Sequence, residues 1–179
     1  MKPIKANQLA SGLDDVRLTL SPRWALAGLS LSMLMPSLDT SIANVALPPM
    51  AQAFGASFQS IQWVVLVYLL AITSLIVSVG RLGDVFGRRR LLLAGISLFT
   101  LASLLCGLAD RLWFLIAARA AQGLGAAIMM ALAVALVGDT VPKEKTGSAM
   151  GLLGTMSAIG TTLGPTLGGV LIAGFGWQT

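Results

Sequence analysis

GRLGDVFGRRR, residues 80–90, stands between two long apolar runs, 61–79 before it and 91–108 after it. Each run is about twenty residues long, the length that crosses a hydrocarbon core. The stretch itself holds four arginines, one aspartate and three glycines. It reads as a short, strongly basic hairpin between two membrane spans, and its arginines mark the cytoplasmic side. Gly80, Gly83 and Gly87 let the backbone turn tightly and approach a neighbour. A generic cytoplasmic turn would explain the arginines but neither Asp84 nor the spaced glycines.

The rest of the composition agrees with a membrane reading. Apolar residues make up 56% of the chain and charged ones 11%, whereas a soluble domain is about a quarter charged. A net charge of +5 would suggest nucleic acid in a soluble protein. Here the basic residues sit between spans, so orientation in a membrane accounts for them and no nucleic-acid partner is expected. The lone Cys106 lies within an apolar run, which excludes a disulfide framework. Histidine is absent, removing the commonest metal ligand and the usual neutral-pH proton carrier. No nucleophile–base pair, metal cluster or Walker sequence is visible. The chain is therefore not read as an enzyme, no cofactor or metal is expected, and ATP is not the visible energy source. Gly123-Leu124-Gly125 lacks the third glycine and the preceding strand of a dinucleotide fingerprint. Met129 and Met130 read as packing residues.

The expected fold is all-α: a polytopic bundle of about five transmembrane helices. Residues 1–23 form a polar cytoplasmic tail, with a short interfacial helix at about 13–20, and 24–179 form the membrane part. Span 1 covers about 24–46, with Pro36 bending it and Pro48-Pro49 ending it. Its apolar run of about 23 residues exceeds the 7–15 of a signal-peptide core, so it reads as a retained span. Span 2 covers about 61–79, span 3 91–108, span 4 112–137 and span 5 147–173, the last interrupted at Gly164-Pro165. Trp177 resembles the interface before a sixth span. Five is an odd number for transporters assembled from three-span repeats. The chain is thus expected to be the N-terminal piece of a longer protein, with a missing C-terminal half as its partner.

Charge counting gives orientation. The tail, the hairpin at 80–90 and the loop at 138–146 hold ten of the twelve lysines and arginines, all on one side of the alternating spans. The N-terminus is accordingly placed in the cytoplasm.

Two ionisable residues lie deep in spans, Asp39 in span 1 and Arg119 in span 4. Each costs roughly 2.5–3.5 kcal/mol at a helix centre, so each needs a partner or a wet cavity. Both fall about seven residues from the outer ends of their spans, roughly 10 Å deep at 1.5 Å per residue. They can face each other if spans 1 and 4 line one cavity. On the functional reading Asp39 exchanges a proton and Arg119 tunes its affinity for it; on the plain reading they form a static pair that orients two helices.

With these residues in view, the chain resembles the major facilitator superfamily, and within it the fourteen-span drug:proton antiporters. LDTSIANVALP at 38–48 is similar to that branch's first-span signature. GRLGDVFGRRR is similar to the superfamily's loop between spans 2 and 3. RAAQGLGAA at 119–127 resembles the fourth-span motif with its arginine, and GTTLGPTLGG at 160–169 the fifth-span antiporter motif. QWVVLVYLL at 62–70 adds to the resemblance. It implies a gating loop of Gly80, Gly83, Asp84, Gly87, Arg88 and Arg89, in which Asp84 meets a helix N-terminus of the C-terminal half. It implies an antiporter motif of Gly160, Gly164, Pro165, Gly168 and Gly169 that seals a bendable contact. The glycines four apart also suit ordinary close helix packing. The implied activity is proton-coupled efflux of hydrophobic or cationic drugs through a bacterial inner membrane, with lipid, proton and small substrate as partners and Asp39 and Arg119 coupling them. A nutrient transporter of the same superfamily and a non-transporting membrane fragment are the alternatives.

Overall fold

The computed structural model describes residues 22–175. The tail expected over 1–21 and the interface expected at Trp177 lie outside the described residues. Five long helices run through the rest: α1 (Pro22–Ala53), α3 (Trp63–Phe86), α4 (Arg88–Gly107), α5 (Leu112–Thr140) and α6 (Thr146–Phe175). A single turn, α2 (Phe58–Ile61), leads into α3, and a 3-10 turn over Lys143–Lys145 leads into α6. No strand occurs among the described residues.

α3 together with α2, and α4, α5 and α6, are each long and apolar enough to cross a membrane. α1 is the longest at 32 residues but is not among these four. Its middle carries Ser30, Ser32, Ser37, Asp39, Thr40, Ser41 and Asn44, which lowers its hydropathy. Several of these groups satisfy themselves within the helix. Ser32 and Ser37 donate to the carbonyls of Gly28 and Met33 at 3.0 Å, and Thr40 donates to that of Pro36 at 2.8 Å.

The helices run longer than their apolar runs. α1 continues through Pro48-Pro49 to Ala53, where the sequence suggested an end. Proline keeps a helical φ, although each one removes an N–H bond and crowds the carbonyl four residues before it. Ala46, Leu47 and Met50 meanwhile stay packed against Ile61, Val64 and Leu115, which holds the last turns in place. The chain reverses at Gly55, whose φ of 57° is left-handed, and Ser57 caps α2 by accepting from the Ser60 N–H at 3.2 Å. The stretch 80–90 is mostly helix as well, and the turn narrows to Gly87 at φ 88°. α6 is continuous across Gly164-Pro165, not interrupted.

α5 is the axis of the bundle. Half of its most apolar window is buried, against 17% in each of the other three spans. It passes through three core layers: Leu115 at one end, Ala126 and Met129 in the middle, and Ala133 and Val137 at the other. α3 and α4 flank it, α1 packs on a further side, and α6 pairs mainly with α1. Gly123 and Gly125 make the fit possible. A Cβ on Gly123 would lie 2.7 Å from the Tyr68 carbonyl on α3, and one on Gly125 2.7 Å from the Phe99 nitrogen on α4. Outward side chains such as Val77, Trp113 and Val170 are exposed, as expected of a lipid-facing surface.

Candidate functional site

Asp39 on α1 and Arg119 on α5 meet. A guanidinium NH1 of Arg119 donates to Asp39 Oδ2 at 2.6 Å. Arg119 is 5% exposed. The Asp39 side chain is 23% exposed, so the carboxylate is the end of the pair that reaches open space. A buried cation of this kind persists only with partners, and Arg119 has three. Beyond Asp39, the same NH1 donates to Gln122 Oε1 at 2.9 Å. The guanidinium carbon also stands 5.4 Å from the centre of the Tyr68 ring, within cation–π reach.

Gln122 completes the constellation. Its Nε2 donates to Asp39 Oδ1 at 2.9 Å and to Ser103 Oγ at 2.7 Å, while the Cys106 thiol lies 3.7 Å from its Oε1. Four helices therefore contribute: α1 Asp39, α3 Tyr68, α4 Ser103 and Cys106, and α5 Arg119 and Gln122. The Tyr68 hydroxyl donates to the Pro36 carbonyl at 3.3 Å, tying α3 to α1 three residues from Asp39.

The sequence pointed to Asp39 and Arg119 but gave Gln122, Ser103 and Tyr68 no role. Gln122 was recoverable, because a residue three positions after Arg119 shares its helix face. Ser103 and Tyr68 were not, since their faces depend on how α3 and α4 pack around α5. The depth estimate also shifts. α1 runs on to Ala53, so Asp39 lies about 20 Å from its end at 1.5 Å per residue, while Arg119 is about 10 Å from the start of α5. The helices meet because α1 projects further than α5.

The pair forms one wall of a groove of about 290 Å³ between α1, α4 and α5. Met35, Leu38, Ile42, Met50 and Phe99 supply its apolar lining. An apolar hollow with a few convergent polar groups is what a small-molecule site requires.

The expected antiporter motif is a helix seam. A Cβ on Gly160 would lie 2.8 Å from the Leu34 carbonyl, and one on Gly168 3.3 Å from Ile42 Cα. Gly164 packs against Ser41 in the same way, so these three glycines bring α6 against α1. Gly169 has open space and takes no part in that contact. Pro165 lacks the N–H that would bond the Thr161 carbonyl, and Ser41 Oγ donates to that carbonyl instead at 2.7 Å. One turn away, the hydroxyls of Ser37 and Ser157 share a hydrogen bond at 2.7 Å. Ser41→Ala is expected to cost about 1 kcal/mol by leaving the Thr161 carbonyl, which has no N–H at Pro165 to bond, unmatched in the helix seam. In a Pro165→Ala background the restored N–H should remove most of that cost, and chemical unfolding of the four variants in detergent measures the cycle.

The loop residues divide by role. Gly87 makes the turn. Gly83 permits contact, since its Cβ would meet Leu132 at 2.7 Å, and Gly80 does neither, having open space around it. Arg88 donates to Asp84 Oδ1 from Nε at 3.2 Å and from NH2 at 2.9 Å, and to Asp139 Oδ2 from NH1 at 2.8 Å. It thereby staples α3 to the end of α5. Asp139 sits in the last turn of α5, where the helix dipole disfavours a carboxylate and Arg88 offsets it. Arg89 is exposed. The helix that the resemblance leads one to expect against Asp84 is not among the described residues. Arg88→Gln is expected to loosen the end of α5, seen as faster amide hydrogen exchange over 136–140, with no change near Arg119.

Comparison with known proteins places this geometry. The family model of the Major Facilitator Superfamily matches residues 29–179. Multidrug resistance protein Stp of Mycobacterium tuberculosis is 44% identical over 155 residues, 86% of this chain and 29% of that protein. Riboflavin transporter RibZ of Clostridioides difficile is 36% identical over 161 residues, 89% of this chain and 35% of that one. Putative multidrug resistance protein MdtD of Escherichia coli O81 is 40% identical over 158 residues, 88% of this chain and 34% of that one. The chain thus spans about a third of the length of these relatives. The crystal structure of a bacterial homologue of the human lysosomal transporter Spinster gives a TM-score of 0.76 at 20% identity, covering 86% of this chain and 32% of that one. It shows the same fold. With the family model covering all but the first residues, this chain, a multi-pass membrane protein of apolar helices, belongs to the Major Facilitator Superfamily.

Proposed function

We propose that these helices form the N-terminal part of a proton-coupled exporter of hydrophobic or cationic drugs. The observation that carries the reading is the Asp39–Arg119 pair on the wall of an apolar groove. The groove suits an apolar or amphipathic body, and the carboxylate suits either a proton or a positive charge. Asp39 takes a proton from the outer side and gives it up inside as substrate moves the opposite way, with the two halves rocking about the site. The C-terminal half closes the open side of the groove, and Asp84 contacts a helix N-terminus in that half. The N-terminus and the basic loop face the cytoplasm, and the membrane is a bacterial inner membrane. The names of two relatives, which describe multidrug resistance proteins, support the substrate class.

The test is efflux and proton-gradient dissipation in everted vesicles carrying the longer transporter. Asp39→Asn should abolish substrate-driven proton movement, and coupled efflux at the unaltered rate would remove Asp39 from the mechanism. A second reading, transport of a nutrient, draws on the relative named as a riboflavin transporter. The direction of flux in the same vesicles separates the two.

A further inference from the structure

α1 borders a second hollow, away from the Asp39 groove. A cleft of about 240 Å³ lies between α1 and α6, lined by Ser37, Thr40, Ser41, Asn44 and Thr161. It shares no residue with the groove. Its lining holds no ionisable and no purely apolar side chain, and residues 37–44 are the middle of α1. Uncharged polar groups at membrane depth bond to a helix, to water or to a ligand. Where their protons go decides what the cleft can hold. All five side chains donate to backbone carbonyls. Ser37 bonds that of Met33 at 3.0 Å, Thr40 that of Pro36 at 2.8 Å and Thr161 that of Ser157 at 3.1 Å. The Asn44 amide nitrogen bonds the Thr40 carbonyl at 3.0 Å, which turns the amide oxygen the other way. Ser41 is the most firmly held. It is 8% exposed, and its proton goes at 2.7 Å to the Thr161 carbonyl, which Pro165 leaves without a helical donor. Turning that proton to a ligand would strand the carbonyl. The cleft therefore presents oxygen lone pairs, on the hydroxyls of Thr40, Ser41 and Thr161 and on the amide of Asn44, with the second Asn44 N–H as a donor beside them. Ser37 contributes less, because its oxygen already shares a hydrogen bond with Ser157 at 2.7 Å.

We propose that this cleft is a second binding site, independent of any proton movement at Asp39, and that it takes a neutral, hydroxyl-bearing portion of a small molecule. An anion would face lone pairs. A cation would find oxygens but no counter-charge among the lining residues, and an uncompensated charge is costly away from water. A hydrocarbon body would leave the oxygens unmatched. Adjacent hydroxyls suit all of them. Their protons go to the lining oxygens, and one of their own oxygens accepts the remaining Asn44 N–H. The cleft is smaller than the roughly 300–1,000 Å³ of a drug-sized site, so it holds one part of a larger molecule rather than the whole.

Two probes with one body and different donors test this: the monobenzyl ether of glycerol, and the same compound with both hydroxyls methylated. Each is titrated into the chain held in phosphatidylcholine nanodiscs, whose headgroups carry no hydroxyl. The Thr40 and Thr161 methyl resonances and the Asn44 side-chain amide resonance are followed. The diol should shift all three to saturation, and the methylated compound should leave them in place. Thr161→Val keeps the side-chain shape without the hydroxyl, and Asn44→Leu removes the amide; both positions are exposed. Each change should weaken the diol about three- to tenfold, the worth of one hydrogen bond, read on the threonine that remains. Thr161→Ala and Asn44→Ala take their place should either fail to fold. Equal shifts from the two probes would mean that the cleft takes an apolar body, and no shift from the diol would mean that it holds water only. Either result overturns the proposal, as does unchanged diol affinity in the folded variants. None of these outcomes touches proton movement at Asp39, which the vesicle assay measures separately.

Discussion

Asp39→Ala is expected to be more damaging to the bundle than Arg119→Ala, although each variant deletes the same ion pair. The difference lies in what is left behind. Removing Asp39 strands Arg119, 5% exposed, with a neutral amide and a ring as its remaining partners. Breaking a buried pair in this way costs about 3–5 kcal/mol. Removing Arg119 leaves a carboxylate whose side chain is 23% exposed and which keeps the Gln122 N–H at 2.9 Å. That loss should be nearer 1–3 kcal/mol, roughly that of a strong buried hydrogen bond. Replacing both charges with apolar groups of similar size, as in Asp39→Leu with Arg119→Met, should recover most of the stability, because the desolvation of both ions disappears with the pair. Unfolding in mixed micelles, followed by helical circular dichroism, ranks the variants. Equal costs for the two single changes, or no recovery in the double, would mean that the pair is solvated in the membrane rather than held by the bundle. Separating stability from function matters here. A double variant that folds well but carries no proton isolates the chemistry from the architecture.

Much of this architecture was legible in the residues because a membrane simplifies the problem. Backbone groups in hydrocarbon must be satisfied by helices or closed barrels, and an apolar run of about twenty residues is helix length rather than the roughly 9–11 of a barrel strand, so α3, α4, α5 and α6 follow directly. Boundaries were harder to read. The apolar pattern stops where lipid stops, but a helix stops where its backbone bonds or packing fail. α3 therefore continues through charged residues to Phe86, and α1 continues through two prolines. α1 also shows the converse. Its serines, threonine and asparagine make it too polar for a hydropathy criterion, yet it packs against both α5 and α6. At the site, Asp39 and Arg119 stood out because an ionised group in an apolar run is conspicuous. Gln122 is less so, and Tyr68 and Ser103 acquire meaning only once α3 and α4 are set against α5. The two sides of that setting, at Gly123 and Gly125, were visible in the sequence as glycines, but nothing local says which neighbour each one touches.

Those two glycines supply the second large effect. Gly123→Ala with Gly125→Ala is expected to cost up to about 4 kcal/mol, by overpacking at two contacts of as much as about 3 kcal/mol each less a gain in helix propensity of about 1 kcal/mol for each glycine replaced. The contacts are unforgiving because they are to backbone. The added Cβ at Gly125 would stand 2.7 Å from the Phe99 nitrogen and 2.9 Å from the Gly95 carbonyl, so α4 must move as a body. At Gly123 it would meet the Tyr68 carbonyl at 2.7 Å and the Ala71 Cβ at 2.8 Å, so α3 must move. Gly138→Ala is the control. It lies on the same helix with open space around it and should gain up to about 1 kcal/mol from helix propensity. The single variants also divide the site. Gly125→Ala pushes away the helix that carries Ser103 and should lengthen its 2.7 Å bond to Gln122. Gly123→Ala pushes away the helix that carries Tyr68 and should draw the ring off Arg119. Thermal unfolding of the four variants gives the energies, and the Arg119 guanidinium resonance reports which wall has moved. If Gly125→Ala proves as harmless as Gly138→Ala, α4 is not held against α5 at this level, and the hydrogen bond from Gln122 to Ser103 loses the support that fixes its geometry.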